Sequence, residues 1–160
     1  MLIPDALAGA IQAWADFKAD HRVVSRGLGA LHLSGILLGG GTAIVIDRAV
    51  RRAASGADAL RTHVLDEVAL AHRVVIPALV LVFVTGALWT LSELEEFLAS
   101  PVYWLKMGLI ALLLINGVVM MRAERAARDG ASNDAWARLR TTGTISLVLW
   151  FAVLIAGKFL

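Results

Sequence analysis

Four stretches of about twenty residues, nearly free of formal charge, limit what this chain can fold into more than any other feature. They cover residues 27–46, 74–91, 102–121 and 143–160. Crossing roughly 30 Å of hydrocarbon takes about 20 helical residues, and each stretch comes close to that length. Backbone amides and carbonyls in lipid have no water to bond, so such stretches must satisfy their hydrogen bonds internally as helices. The expected fold class is therefore all-α: a polytopic membrane protein, a four-transmembrane-helix bundle. Trp89, Tyr103 and Trp104 fall near span ends, where interfacial aromatics concentrate.

Composition agrees with this reading. Of the 160 residues, 59% are hydrophobic, above the roughly 45–50% of a soluble domain. The absence of cysteine excludes disulfides, thiolate metal sites, iron–sulfur clusters and covalently attached haem. The basic residues lie between apolar runs, so they report topology rather than nucleic-acid binding. No P-loop, dinucleotide fingerprint, HExxH or nucleophile elbow occurs.

Residues 1–22 have no basic leader region and carry Asp5, Asp16 and Asp20, so a signal peptide is not expected there. Leu7, Ile11, Trp14 and Phe17 are spaced four, three and three apart, which places them on one helical face with Asp5, Gln12, Asp16 and Lys18 mostly elsewhere. Pro4 suits the first turn of such a helix. Two readings follow: an amphipathic helix on the membrane surface, or a stripe packed on the bundle or on a partner subunit. The expected division is residues 1–22 as an interfacial helix and 23–160 as the transmembrane domain.

Charge sets the expected orientation. Segment 47–73 holds five arginines (Arg48, Arg51, Arg52, Arg61, Arg73), and segment 122–142, read as a short loop leading into the last span, holds another five (Arg122, Arg125, Arg128, Arg138, Arg140). The opposite side has Lys18, Arg22, Arg26, Lys106 and Lys158, with Glu93, Glu95 and Glu96 in its connection. The positive-inside rule puts both arginine-rich segments in the cytoplasm and both termini on the outer, periplasmic side of the cell (inner) membrane. Segment 49–73 is itself expected to be helical, through the stripe Leu60, Val64, Leu65 and Val68, so that span two starts in the cytoplasm; Pro77 falls in the first turns of its apolar part.

Ionisable or strongly polar residues inside a span are costly unless partnered and are functional candidates by default. His32 lies roughly 8 Å below the outer boundary of span one and Lys106 roughly 6 Å below that of span three, so they share one leaflet. Asn116 is deeper in span three, and His72 and Arg73 sit at the cytoplasmic mouth of span two, where they suit phospholipid headgroups. Three roles stand for His32: haem iron ligand, copper or proton site, or hydrogen-bonded packing residue. Lys106 either snorkels to the interface or pairs with an anion such as a haem propionate or a quinone headgroup. Gly35 and Gly39 form a small-xxx-small pair that admits a neighbouring helix or a flat cofactor.

Several of these residues carry a resemblance. Ala30-Leu31-His32 follows the first span start, His72-Arg73 and Pro77 open the second helix, Thr85-Gly86 lies near its end, and Ser100 to Leu109 (SPVYWLKMGL) opens the third. Over residues 27–160 the chain resembles the four-helix membrane domains of CopD-like copper-resistance proteins and of HemJ-type protoporphyrinogen oxidase. The resemblance implies a haem b associated with His32, with Lys106 and Arg73 at matching third-helix and second-helix positions. The chain departs from the HemJ-type pattern at Trp104, where that family has a histidine, in the glycines of span one, and in its additional N-terminal helix. The likeness carries the fold further than the oxidase activity.

The expected function is a membrane redox or haem-handling protein, with His32 as the candidate metal ligand and Lys106 as cofactor partner. The alternatives are a non-catalytic small subunit of a larger membrane complex, and a copper uptake or resistance protein. Membrane lipids, partner membrane subunits or a second copy of the chain are the expected partners.

Overall fold

The computed structural model describes residues 5–54, 58–130 and 132–160, and Pro4 lies outside them. The described chain is all-α, in six helices: α1 (Asp5–Asp20), α2 (Arg22–Ala54), α3 (Asp58–Ser92), α4 (Leu94–Ala99), α5 (Pro101–Gly130) and α6 (Asn133–Lys158). α2, α3, α5 and α6 are each long and apolar enough to cross a membrane, so the chain is read as an integral membrane protein with four candidate spans. Local chemistry sets the breaks. Pro101 starts α5, where its missing N–H is no loss, and the Ser132 hydroxyl caps α6 by accepting from the Ala135 N–H at 3.2 Å. Pro77 remains inside an unbroken α3.

The long helices outrun the spans. At 1.5 Å per residue the 33 residues of α2 reach about 50 Å, against roughly 30 Å of hydrocarbon. The excess lies at one end, where α2 and α5 finish and α3 and α6 begin; we call it the arginine end and the opposite one the terminal end. Segment 49–73 is helical on both sides of 55–57, as expected. Segment 122–142, read from the sequence as a loop, is also mostly helix, broken only around Ser132.

Successive long helices run antiparallel. α2 packs along both α3 and α6, and α5 packs along α6, whereas α3 and α5 touch little. The buried core gathers at the arginine end and includes Val50, Val64, Val68, Ala123, Trp136 and Leu139. In the terminal half of α5, no residue before Leu113 is buried.

The glycines of α2 explain its close packing. A Cβ on Gly35 would stand 2.6 Å from Val82 Cγ2 and 3.1 Å from the Ala78 carbonyl, so only glycine lets α3 approach there. A Cβ on Gly39 would meet the Trp150 ring at 2.5 Å, and one on Gly29 would meet Trp89 at 3.3 Å. The flat groups against this face are the protein's own indoles.

α1 docks on the terminal ends of α3 and α2. Its stripe is divided: Trp14 donates to the Leu88 carbonyl at 2.8 Å, while Leu7 and Phe17 remain exposed. The deepest side chain of α1 is Lys18, which the sequence pattern had placed away from the apolar stripe. Its ammonium donates to Ser92 Oγ and Glu93 Oε1, both at 2.7 Å, and lies over the Trp89 ring. Those three bonding groups satisfy the buried charge.

Candidate functional site

The polar residues of the four long helices fall into two groups, one at each end of the bundle. His32 is at the terminal end, on α2. Its Nδ1 is 2.8 Å from the Thr85 hydroxyl of α3, and its ring lies against Gly86, where a Cβ would stand 3.3 Å from Cε1. The Thr85 hydroxyl has one proton, which it gives to the Leu81 carbonyl at 2.6 Å, as helical threonines commonly do. It therefore accepts from His32, so Nδ1 carries the ring hydrogen and Nε2 keeps its lone pair. The Val82 backbone also lies within hydrogen-bonding reach of the ring, and Nε2 is not among the buried side-chain atoms left without a partner. An imidazole anchored through one nitrogen with the other open is the arrangement of a metal-ligating histidine.

Lys106 projects from α5 toward the end of α6. Its Nζ would lie 3.3 Å from a Cβ on Gly157, so the missing side chain makes room for the ammonium. No carboxylate pairs with it among the described residues. His32 shares its α2 face with Ala43, eleven residues on, and Lys106 shares its α5 face with Gly117 at the same spacing. Ala43 and Gly117 both line a small internal cavity of about 70 Å³ between the helices. The two sequence candidates thus stand above that cavity on stripes that face the bundle axis.

The second group is at the arginine end. His72 lines the same cavity, with Nδ1 3.2 Å from Glu124 Oε2. Arg128 donates to Glu124 Oε1 at 3.2 Å, to Asp66 Oδ1 at 2.9 Å and to the Leu65 carbonyl. Nearby, buried Asp47 accepts from Arg51 at 2.8 Å and from the Thr144 hydroxyl at 3.1 Å, tying α2 to α6. Asn116 is buried and donates to the Thr142 carbonyl at 2.9 Å, tying α5 to α6. Arg73 is exposed. His72 and Asn116 are thus held in cross-helix contacts, and His72 lies on α3 roughly 20 Å along the helix from Thr85, the partner of His32.

Sequence reasoning missed Glu124 and the inward face of Thr85. Glu124 had a readable signal: Leu113, Asn116, Met120, Ala123, Glu124 and Ala127 form one helical stripe, so an acid on it points inward. Thr85 had none, because its pairing depends on the register between α2 and α3.

Haem fits these residues only in part. The donor set suits it, with one open imidazole nitrogen and one uncompensated cation for a propionate. The internal cavity does not hold a porphyrin, since cofactor pockets run to roughly 300–1,000 Å³. Among the described residues no three histidine or carboxylate side chains converge, so a closed multi-ligand copper or zinc site is not formed. Comparison with protein-family models, with curated proteins and with solved structures gave no match.

Proposed function

We propose that this chain is a membrane-embedded redox or haem-handling protein whose site opens in the outer leaflet of the cell (inner) membrane. One contact carries the reading: the Thr85 hydroxyl holds the His32 ring through Nδ1, which leaves Nε2 available for a metal at the end of the bundle where Lys106 has no carboxylate partner. His32 Nε2 would hold the iron of a haem b, and the Lys106 ammonium would hold a propionate. A haem bound there supplies one-electron transfer. The chain's own residues orient the imidazole through Thr85, accommodate the ring on Gly86, and place a positive charge where an anion enters from the lipid. Both termini on the outer side and the arginine end in the cytoplasm follow from the positive-inside rule.

An absorption spectrum of detergent-purified protein, produced with ample haem, tests this reading. The expected result is a Soret band that shifts on dithionite reduction, lost in His32→Ala and weakened in Lys106→Gln. A featureless spectrum, or full haem retention in a folded His32→Ala variant, overturns it.

A second reading is a non-catalytic small subunit of a larger membrane complex. It is favoured by the part of α5 before Leu113, where no side chain is fully buried against its own bundle. Stoichiometric co-purification of a partner in mild detergent supports it, and isolation of the chain alone counts against it.

A further inference from the structure

A second concavity lies apart from His32 and Lys106. It is a cleft of about 650 Å³ formed by α1, the first turns of α2 and the end of α3. Its residues come just before the apolar run 27–46 and just after 74–91, which puts the cleft at the level of lipid headgroups.

The charges of the cleft are sorted. Lys18 forms the floor and is neutralised there by Glu93 Oε1 at 2.7 Å. Arg22 and Arg26 are one turn apart on α2, hence on the same face, and both are exposed. Neither has a carboxylate partner among the described residues, so their guanidiniums are free to take an anion. Two carboxylates line the same cleft. Asp16 has only one oxygen engaged, Oδ1, by Gln12 at 2.9 Å. Glu93 has Oε2 left over from the Lys18 bond. Ser25, between the two arginines, adds a hydroxyl.

Two adjacent guanidiniums match a phosphate, which arginine binds with paired, charge-assisted hydrogen bonds. Two carboxylate oxygens in the same cleft match an ammonium. A simple anion would use only the arginines and would meet Asp16 unfavourably, whereas a zwitterion uses both sets. We propose that this cleft binds a phosphoethanolamine-type headgroup, with its phosphate on Arg22 and Arg26 and its ammonium toward Asp16 and Glu93. The reading does not depend on haem or on His32.

Delipidated full-length protein in detergent is titrated with phosphatidylethanolamine, with phosphatidylglycerol of the same acyl chains, and with free glycerophosphoethanolamine. Bound ligand is read by native mass spectrometry and by the melting temperature. Phosphatidylethanolamine is expected to bind more tightly than phosphatidylglycerol and to raise the melting temperature more. The R22Q/R26Q variant is expected to bind it about tenfold or more weakly. Asp16→Asn, which keeps a partner for Gln12, is expected to narrow the preference over phosphatidylglycerol. Binding that needs the acyl chains assigns the site to lipid, while equal binding of free glycerophosphoethanolamine assigns it to a soluble ester; both support the zwitterion chemistry. Circular dichroism and size exclusion check that each variant is folded, and the single Arg26→Gln variant serves if the double one is not. Equal binding of the two lipids, or unchanged phosphatidylethanolamine binding by a folded arginine variant, overturns the proposal.

Discussion

The two ends of the bundle are built on different physics. At the arginine end, α2, α3, α5 and α6 run past the spans and close over a dense core; Val50, Val68 and Leu139 are fully buried there. Most of that core lies outside the charge-free runs of the sequence. In water, burying these side chains is favourable at about 25 cal/mol per Å² of apolar surface. Inside the spans lipid is as apolar as leucine, so no such force acts, and the helices meet through glycines, indoles and single hydrogen bonds. Accordingly Leu105, Leu112, Ile115 and Val148 face outward. The difference teaches that hydropathy and burial part company in this chain: its most apolar segments are its least buried.

Mutations can break or sharpen that contrast, and the largest effect is expected in the water-side core. Leu139→Ala removes a fully buried side chain and should cost about 2–5 kcal/mol, measured by denaturation in a fixed detergent. A loss no greater than that of the exposed Leu112→Ala would show that the two ends do not differ. Next is Arg128→Ala, which leaves Glu124 with His72 alone and removes the link to Asp66. A loss of roughly 1.5–3 kcal/mol is expected, with faster hydrogen exchange in the first turns of α3. Unchanged exchange there would mean that the network does not hold α3 to α5.

Within the membrane, Gly35→Ala forces a methyl against Val82 and the Ala78 carbonyl. It should destabilise by about 1–3 kcal/mol and push α2 from α3, which a spin-label distance would detect. If the distance and the stability both stay at wild-type values, close backbone approach is not what pairs these helices. The smallest effect on stability, about 1 kcal/mol, is expected for Thr85→Ala, which frees the His32 ring. The same variant should weaken metal or haem binding by about 10–100-fold if His32 is a ligand. Equal binding by wild type and Thr85→Ala would separate the tautomer from the site.

Much of the fold was legible because lipid imposes a blunt rule: a run of about 20 uncharged residues has to be a helix. The helical continuation of 49–73 was also readable, from the stripe at Leu60, Val64, Leu65 and Val68. The continuation through 122–142 was not, since its arginines read as a loop although they line the outside of a helix. Lys18 was misplaced for a related reason. Amphipathic patterning assumes that charge seeks water, and it has no means of knowing that Ser92, Glu93 and Trp89 wait on another helix. His32 and Lys106 could be placed in one leaflet by counting rise per residue. Their shared orientation toward the axis came only with helix register.

The overhang of α2 and α3 beyond the hydrocarbon has a kinetic consequence. Four helices can insert one after another and still lack a fixed arrangement, because nothing in lipid pulls them together strongly. The arginine-bearing head lies outside the hydrocarbon, and it condenses in the aqueous phase as a small soluble bundle does. Once it has closed, the stems beneath it are held at a high local concentration and find their partners as one molecule. The head then acts as a clasp, and urea, which does not dissolve in hydrocarbon, should undo the clasp before the stems part.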